Sequence, residues 1–168
     1  MKKYINILLI SIFAFTACSK SDNQDKTIFD EASKLLKEQN YPKAVMEFEK
    51  IVKDYKDGDY YVKSLMELGN IYNAKLISTI SPEENSRKAV LYFKKVYTDF
   101  PVSTHGEQAM FLTGFIYANE LKNLDSAKIS YTLFLEKYPT SQFAASVKAE
   151  LTNMGKSPEE IIDNKTGN

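Results

Sequence analysis

Very few side chains in this 168-residue chain could carry chemistry. His105 is the single histidine, and Ser103 lies two residues before it. A serine beside a histidine could act as the nucleophile and base of a hydrolase. Two residues so close in a loop are weak evidence for that pair, and a helix-capping Ser103 next to a solvated loop His105 is the better explanation. The sequence offers no nucleophile elbow and no glycine-rich phosphate loop, so we expect no catalysis.

The composition excludes further classes of site. One Cys and one His rule out Cys-rich zinc sites and His-pair metal sites, and we expect no metal or other cofactor. The 22 basic and 22 acidic residues balance, so no net field attracts nucleic acid, and no nucleic-acid partner is expected. With 43% hydrophobic and 26% charged residues, the chain is typical of one globular domain.

Cys18 ends a segment with the layout of a signal peptide. Lys2 and Lys3 form a cationic start, and about eleven mostly apolar residues follow, fewer than the roughly 20 that span a bilayer. Residues 15–18, Phe-Thr-Ala-Cys, resemble the lipobox of bacterial lipoproteins. The resemblance implies cleavage before Cys18, a diacylglyceryl group on its sulfur and an acylated amino terminus. The alternative is an ordinary secretory signal that contains a Cys by chance.

The segment after Cys18 is polar, and residues 18–25 are predicted to form a lipidated flexible tether. Removal of the predicted signal peptide, residues 1–17, leaves 20 basic and 22 acidic residues and a net charge near −2. The residue after Cys18 is Ser19. In lipoproteins of enteric-type bacteria an Asp there favours retention in the inner membrane. Its absence resembles sorting to the periplasmic face of the outer membrane of a Gram-negative bacterium.

Three stretches of the remaining chain align without gaps. Each starts with Ala and has an aromatic residue four positions later, an apolar residue at seven and an aromatic residue at eleven; the starting residues are Ala44, Ala89 and Ala127. Pro101 and Pro139 close the second and third copies. A small residue lies upstream of each copy; these are Ala32, Gly69 and Gly114. The spacing predicts pairs of helices that cross closely at the small residue.

This pattern resembles the tetratricopeptide repeat. The resemblance implies an all-α fold, a right-handed superhelix of about three helix pairs over residues 26–56, 63–101 and 108–139, within a domain of residues 26–155. The sequence predicts a capping helix over residues 140–154, with Phe143, Ala144, Val147 and Leu151 on one face. A C-cap at Gly155 follows, then a short helical turn and polar tail over residues 156–168.

The second copy contains eight extra residues, around residues 77–84. Because residues 81–84 read Ser-Pro-Glu-Glu, a capping box with Pro at the first helical position, we expect the insertion to lengthen both helices by about a turn each. A protrusion that contacts a partner is the alternative.

In tetratricopeptide repeats the concave groove is lined mainly by the first helix of each pair. Carried onto this chain, the groove positions are Lys26, Phe29, Ser33, Lys37, Lys63, Met66, Asn70, Asn73, Gln108, Phe111, Phe115 and Asn119. An apolar ladder with amide and lysine edges suggests a groove for an extended or helical apolar segment. The ladder of Phe29, Met66, Phe111 and Phe115 could instead pack internally or on a turn at residues 161–162, and the sequence leaves both open.

The lipobox and the repeats together are similar to outer-membrane assembly lipoproteins of the BamD type and to the C-terminal domain of the Tol-Pal-associated periplasmic coordinator. Residues 95–101 and 135–145 carry the closest likeness. The resemblance implies a non-catalytic, membrane-anchored scaffold that binds other envelope proteins, in outer-membrane protein assembly or envelope maintenance. A homo-oligomeric structural lipoprotein and a small periplasmic enzyme accessory are the alternatives.

Overall fold

The computed structural model describes residues 23–157, 159 and 160. Seven α-helices follow one another in this part of the chain. They are α1 (Gln24–Lys37), α2 (Tyr41–Asp54), α3 (Tyr61–Asn73), α4 (Pro82–Asp99), α5 (Thr104–Asn119), α6 (Leu124–Lys137) and α7 (Ala144–Asn153). These residues contain no strand, and the predicted all-α fold of three helix pairs and a final helix is confirmed. No helix among them is long and apolar enough to cross a membrane. The predicted signal peptide, Cys18 and the tail after residue 160 lie outside the described residues.

Each helix packs mainly on its neighbours in the chain, as in a solenoid. The first helices of the last two pairs, α3 and α5, also contact each other. Buried side chains form two clusters, a larger one that joins the first two pairs to α5 and a smaller one that joins α5, α6 and α7. Tyr97 on α4 packs against both clusters. Tyr97 therefore connects the two clusters, and the first helices of all three pairs pack on one continuous hydrophobic core.

Two glycines set the crossing within the second and third pairs. Gly69 lies under the ring of Phe93, where an added Cβ would be 2.7 Å from Cδ1 and 2.8 Å from Cζ. Gly114 lies under Tyr131 in the same way, with Cδ1 2.5 Å from the position of a Cβ. Any side chain at either position would push the helices apart. The predicted close crossing at a small residue is confirmed for these two pairs.

The first helices begin earlier than the predicted repeats. The structure starts α1 at residue 24 rather than 26, α3 at 61 rather than 63 and α5 at 104 rather than 108. For α5 the reason is Ser103, whose Oγ accepts a hydrogen bond from Gly106 N at 2.9 Å and caps the helix. For α1 the carbonyl of Asn23 accepts bonds from both N and Oγ1 of Thr27, so two residues of the predicted tether are helical.

The insertion in the second pair is only partly helical. The prediction that it lengthens both helices was wrong for α3, which has 13 residues, whereas α4 has 18 against 14 in α2 and α6. Lys75, with a φ of 57°, turns the chain out of α3. The loop then folds back, because Ile77 is buried and Asn85 Nδ2 donates to the carbonyls of Ile77 and Ser81 at 2.9 and 3.1 Å. The insertion is therefore fastened to the core through Ile77 and Asn85, while residues 78, 79 and 81–84 are exposed.

The last helix starts later than predicted. Residues 140–143 form a turn, in which Ser141 N donates to the carbonyl of Tyr138 and Ala144 N donates to the carbonyl of Ser141, so α7 begins at residue 144 and not 140. Its predicted apolar face is confirmed, since Val147 is fully buried in the smaller cluster. Gly155 has the positive φ expected of a C-cap, 80°.

Candidate functional site

Ser103 and His105, the side chains that could carry chemistry, lie where the α4–α5 turn meets α5. Ser103 Oγ donates to the carbonyl of Phe100 at 2.9 Å and accepts from Gly106 N at 2.9 Å. His105 lies in the first turn of α5 rather than in a loop. The helix-capping role of Ser103 is confirmed, and its hydroxyl is committed as donor and as acceptor. Across the described ranges, no group of three His, Cys, Asp or Glu residues is placed to hold a metal ion.

The predicted groove positions all lie on α1, α3 and α5, the first helices of the three pairs. Three of the four ladder residues point into the fold. Phe29 packs against the larger cluster, with its ring centroid 5.5 Å from that of Phe48. Met66 is only 6% exposed. Phe111 stacks on Phe143 with a centroid distance of 4.7 Å. These three side chains therefore pack within the fold; Met66 is buried, and Phe29 and Phe111 are half-buried.

Phe115 differs from the other ladder residues because 38% of its surface is exposed. One turn further along α5, Asn119 is exposed and its Nδ2 donates to the carbonyl of Phe115 at 3.1 Å. On the neighbouring α3, Asn70 is also exposed. Helix α5 therefore presents an exposed aromatic ring one turn from an exposed amide, and α3, which contacts α5, presents a second exposed amide.

The remaining predicted positions are polar, and most are exposed. Lys37, Lys63 and Gln108 are exposed, whereas Ser33 and Asn73 are half-buried. The Nζ atom of Lys63 lies 4.7 Å from the ring centroid of Tyr60. Lys26 pairs with Asp30 one turn along α1. These residues therefore place amide and ammonium groups on the surfaces of the first helices.

Two open depressions adjoin the predicted positions on α5. One, of about 550 Å³, has Gln108 in its wall together with Glu107 and the α6–α7 turn. The other, of about 300 Å³, has Asn119 in its wall together with Leu124 and Met154. There is therefore an open depression near each end of α5, and Phe115 lies in the sequence between Gln108 and Asn119.

On the first helices, the fold changes the pKa of one carboxyl, that of Glu67 on α3. It is half-buried beside Met66, and this burial raises its pKa above the ordinary value of 4.5. Burial disfavours the charged form of a carboxyl. Glu67 is therefore held in its charged state at a cost to the folded protein.

A second exposed feature was not identified from the sequence. Met46, Leu91 and Ile129, on the second helices, are 66%, 63% and 68% exposed. Each lies two residues after the Ala that starts its repeat, so aligning the three copies for exposed apolar residues would have found this row.

A hydrogen bond of 2.6 Å from Tyr92 Oη to Glu49 Oε1 joins α4 to α2.

A family model for YfiO, described as an outer membrane lipoprotein, matches residues 21–157. The matched span contains all seven helices of the described residues. Among curated proteins, no match was found.

Proposed function

The chain belongs to the YfiO family of outer membrane lipoproteins, and from this we propose that it is a non-catalytic scaffold, anchored through a lipid on Cys18, that binds envelope proteins with its first helices. The family places the chain in the cell envelope. The anchor is supported by the lipobox-like residues 15–18 and by the position of Cys18 just before the matched span. The periplasmic face of the outer membrane is the proposed location.

The binding surface that we propose is centred on Phe115. The observation that carries this proposal is the exposed ring of Phe115 on α5, together with the exposed amides of Asn119 on the same helix and of Asn70 on α3, which contacts α5. Aromatic residues, Phe among them, are enriched in the cores of protein–protein interfaces, and the rims of these interfaces are polar. An apolar side chain of an extended or helical partner segment would cover the ring, and the amides would pair with its backbone or polar groups.

Only one of the four ladder residues, Phe115, is exposed, and this limits which of them we include in the proposed binding surface. Since Phe29, Met66 and Phe111 pack internally, changing them would test folding rather than binding. Phe115 can be changed with less damage to the core, because more than a third of it is exposed. The proposed surface therefore consists of Phe115 with the polar groove positions around it.

Affinity capture from detergent-solubilised envelopes tests the proposal. The wild-type protein should retain specific envelope proteins, and Phe115→Ser should lose most of them at unchanged thermal stability. Ile129→Ser, which changes a 68% exposed residue on α6, is the matched control and should retain them. Equal capture by the two variants would reject the Phe115 surface. Recovery of the chain alone, as a stable oligomer, would favour the homo-oligomeric structural lipoprotein instead.

A separate experiment tests the anchor. Cys18→Ser should move the protein from the membrane fraction to the soluble periplasm, because the acyl chains that would hold it there cannot be attached. A Cys18→Ser protein that sediments with the membranes as the wild type does would reject lipid anchoring at this residue.

A further inference from the structure

The solenoid has one edge at which the first helices begin. Successive helices run in opposite directions, so the starts of α1, α3, α5 and α7 lie together with the turns at residues 55–60, 100–103 and 138–143. Hydrogen bonds join neighbouring turns along this edge. Tyr55 Oη donates to Gln24 Oε1 at 2.9 Å, and Tyr138 Oη donates to the carbonyl of Pro101 at 2.7 Å. We call this side of the molecule the start edge.

Two of the three turns on the start edge are free of charged residues. Residues 100–103 read Phe-Pro-Val-Ser, and residues 138–143 read Tyr-Pro-Thr-Ser-Gln-Phe. Val102 is 98% exposed at the tip of the first of these turns. The turns at the opposite edge each carry charge; they include Glu38 and Lys122, and also Lys75 and Glu120, which form an ion pair at 2.6 Å. An uncharged turn with an exposed valine loses little solvation when it enters a headgroup layer, whereas a charged turn loses much more.

The proposed anchor is attached close to the start edge. Gln24 begins α1 only six residues after Cys18, so a fully extended tether reaches about 20 Å. The 14 residues of α1 are about 21 Å long. If the opposite edge rested on the membrane, with the helices upright, Gln24 would be at or beyond the limit of the tether. The tether therefore favours orientations with the start edge towards the lipid.

We propose that the start edge lies on the lipid surface, with Val102 inserted at the boundary between headgroups and acyl chains. This inference rests on the lipid anchor of the proposed function. The acyl chains on Cys18 hold the protein at the membrane, and one valine adds little affinity, so the contact fixes orientation. Half-buried Tyr138 suits the same layer, in which tyrosine is enriched. The charged turn at residues 55–60, with Lys56, Asp57 and Asp59, remains in the aqueous part of the headgroup layer.

The single native cysteine makes a direct test possible. Lipid attachment consumes the Cys18 sulfur, so an introduced cysteine is the one free thiol of the mature lipoprotein. Val102→Cys and Thr140→Cys place a thiol on the start edge, and Thr79→Cys places one on the opposite edge as the matched control. All three original residues are exposed. Each full-length lipoprotein is labelled with an environment-sensitive fluorophore and reconstituted into phosphatidylethanolamine–phosphatidylglycerol vesicles that contain brominated lipid.

We expect the brominated lipid to quench the probe at position 102 several-fold more strongly than the probe at position 79, with position 140 between them. Mass spectrometry of the same samples reports the lipid on Cys18. Equal quenching at 102 and 79 in lipidated protein, or stronger quenching at 79, would overturn the orientation and leave the anchor intact. Protein that lacks the lipid mass would overturn the anchor and this inference with it.

Discussion

Replacing Gly114 by Ala tests whether the close crossing of α5 and α6 determines the stability of the third pair. The new Cβ would lie 2.5 Å from Cδ1 and 3.2 Å from Cζ of Tyr131. The ring has little room to move away, because Tyr131 is fully buried and lies in the smaller cluster with Phe134 and Val147. The two helices must therefore separate or the ring must leave its preferred rotamer.

The size of the effect follows from two opposing terms. Carbon atoms pack at about 3.5–4.0 Å, so the Cβ would intrude by about 1 Å. Overpacking of a close-packed core costs about 1–3 kcal/mol, and an intrusion this large belongs in the upper part of that range. Ala has a better helix propensity than Gly, which returns about 1 kcal/mol. We expect a net loss of about 1–2 kcal/mol in the free energy of unfolding and a fall in Tm of about 3–8 °C.

Thermal and urea unfolding followed by far-ultraviolet circular dichroism measures this loss, since the described residues are largely helical. The control is the same change in a Tyr131→Leu background, where the ring edge is absent. There Gly114→Ala should be neutral or stabilising, because only the propensity term remains. A rise in Tm when Gly114→Ala is made in the wild-type protein would refute the packing argument. Gly69→Ala, with Phe93→Leu as its background, repeats the test in the second pair.

Three further changes probe the turns and the electrostatics of the fold. Asn85→Ala should lower the free energy of unfolding by about 1–3 kcal/mol, because the carbonyl of Ile77 loses its donor, and hydrogen exchange should rise across residues 77–81; unchanged exchange there would contradict the role of Asn85. Ser103→Ala should cost about 0.5–2 kcal/mol, because Gly106 N loses its cap, while partner capture stays as in the wild type; loss of capture at full stability would point to a functional Ser103. Glu67→Gln should raise Tm at neutral pH, because burial raises the folded-state pKa of Glu67 above 4.5 and the charged form therefore opposes folding at pH values above it. This advantage should shrink as the pH falls and disappear well below pH 4.5, where the carboxyl is protonated in both the folded and the unfolded state. An equal gain at neutral pH and at such an acidic pH would exclude the charge as its cause.

The fold could be predicted well because its determinants repeat. The Ala-aromatic pattern from Ala89 and Ala127, with Gly69 and Gly114 upstream, contains both the helical period and the packing of each pair. Helix starts were harder to predict, since they depend on single hydrogen bonds such as the one from Gly106 N to Ser103 Oγ. The prediction for the insertion was wrong for α3 because two local features leave no periodic pattern in the sequence. One is the positive φ of Lys75, and the other is the set of hydrogen bonds that buried Asn85 donates to three backbone carbonyls.

The candidate site could be predicted only in part. The repeat pattern assigns residues to the first helices, and all the predicted groove positions lie there. It does not reveal which side chains remain exposed, because burial depends on the tertiary partner of each residue. Phe111 stacks on Phe143 from the α6–α7 turn, whereas 38% of the surface of Phe115 is exposed. Two aromatic residues one helical turn apart therefore have different environments.

Site-specific photocrosslinking in living cells tests the central claim, that this lipoprotein binds envelope proteins through its first helices, most directly. A photoreactive amino acid replaces Phe115 in one variant and Ile129 in another, two residues exposed on α5 and α6. We predict discrete crosslinked adducts with envelope proteins at position 115 and few or none at position 129. Adducts confined to position 129, or the same adducts at both positions, would contradict the claim.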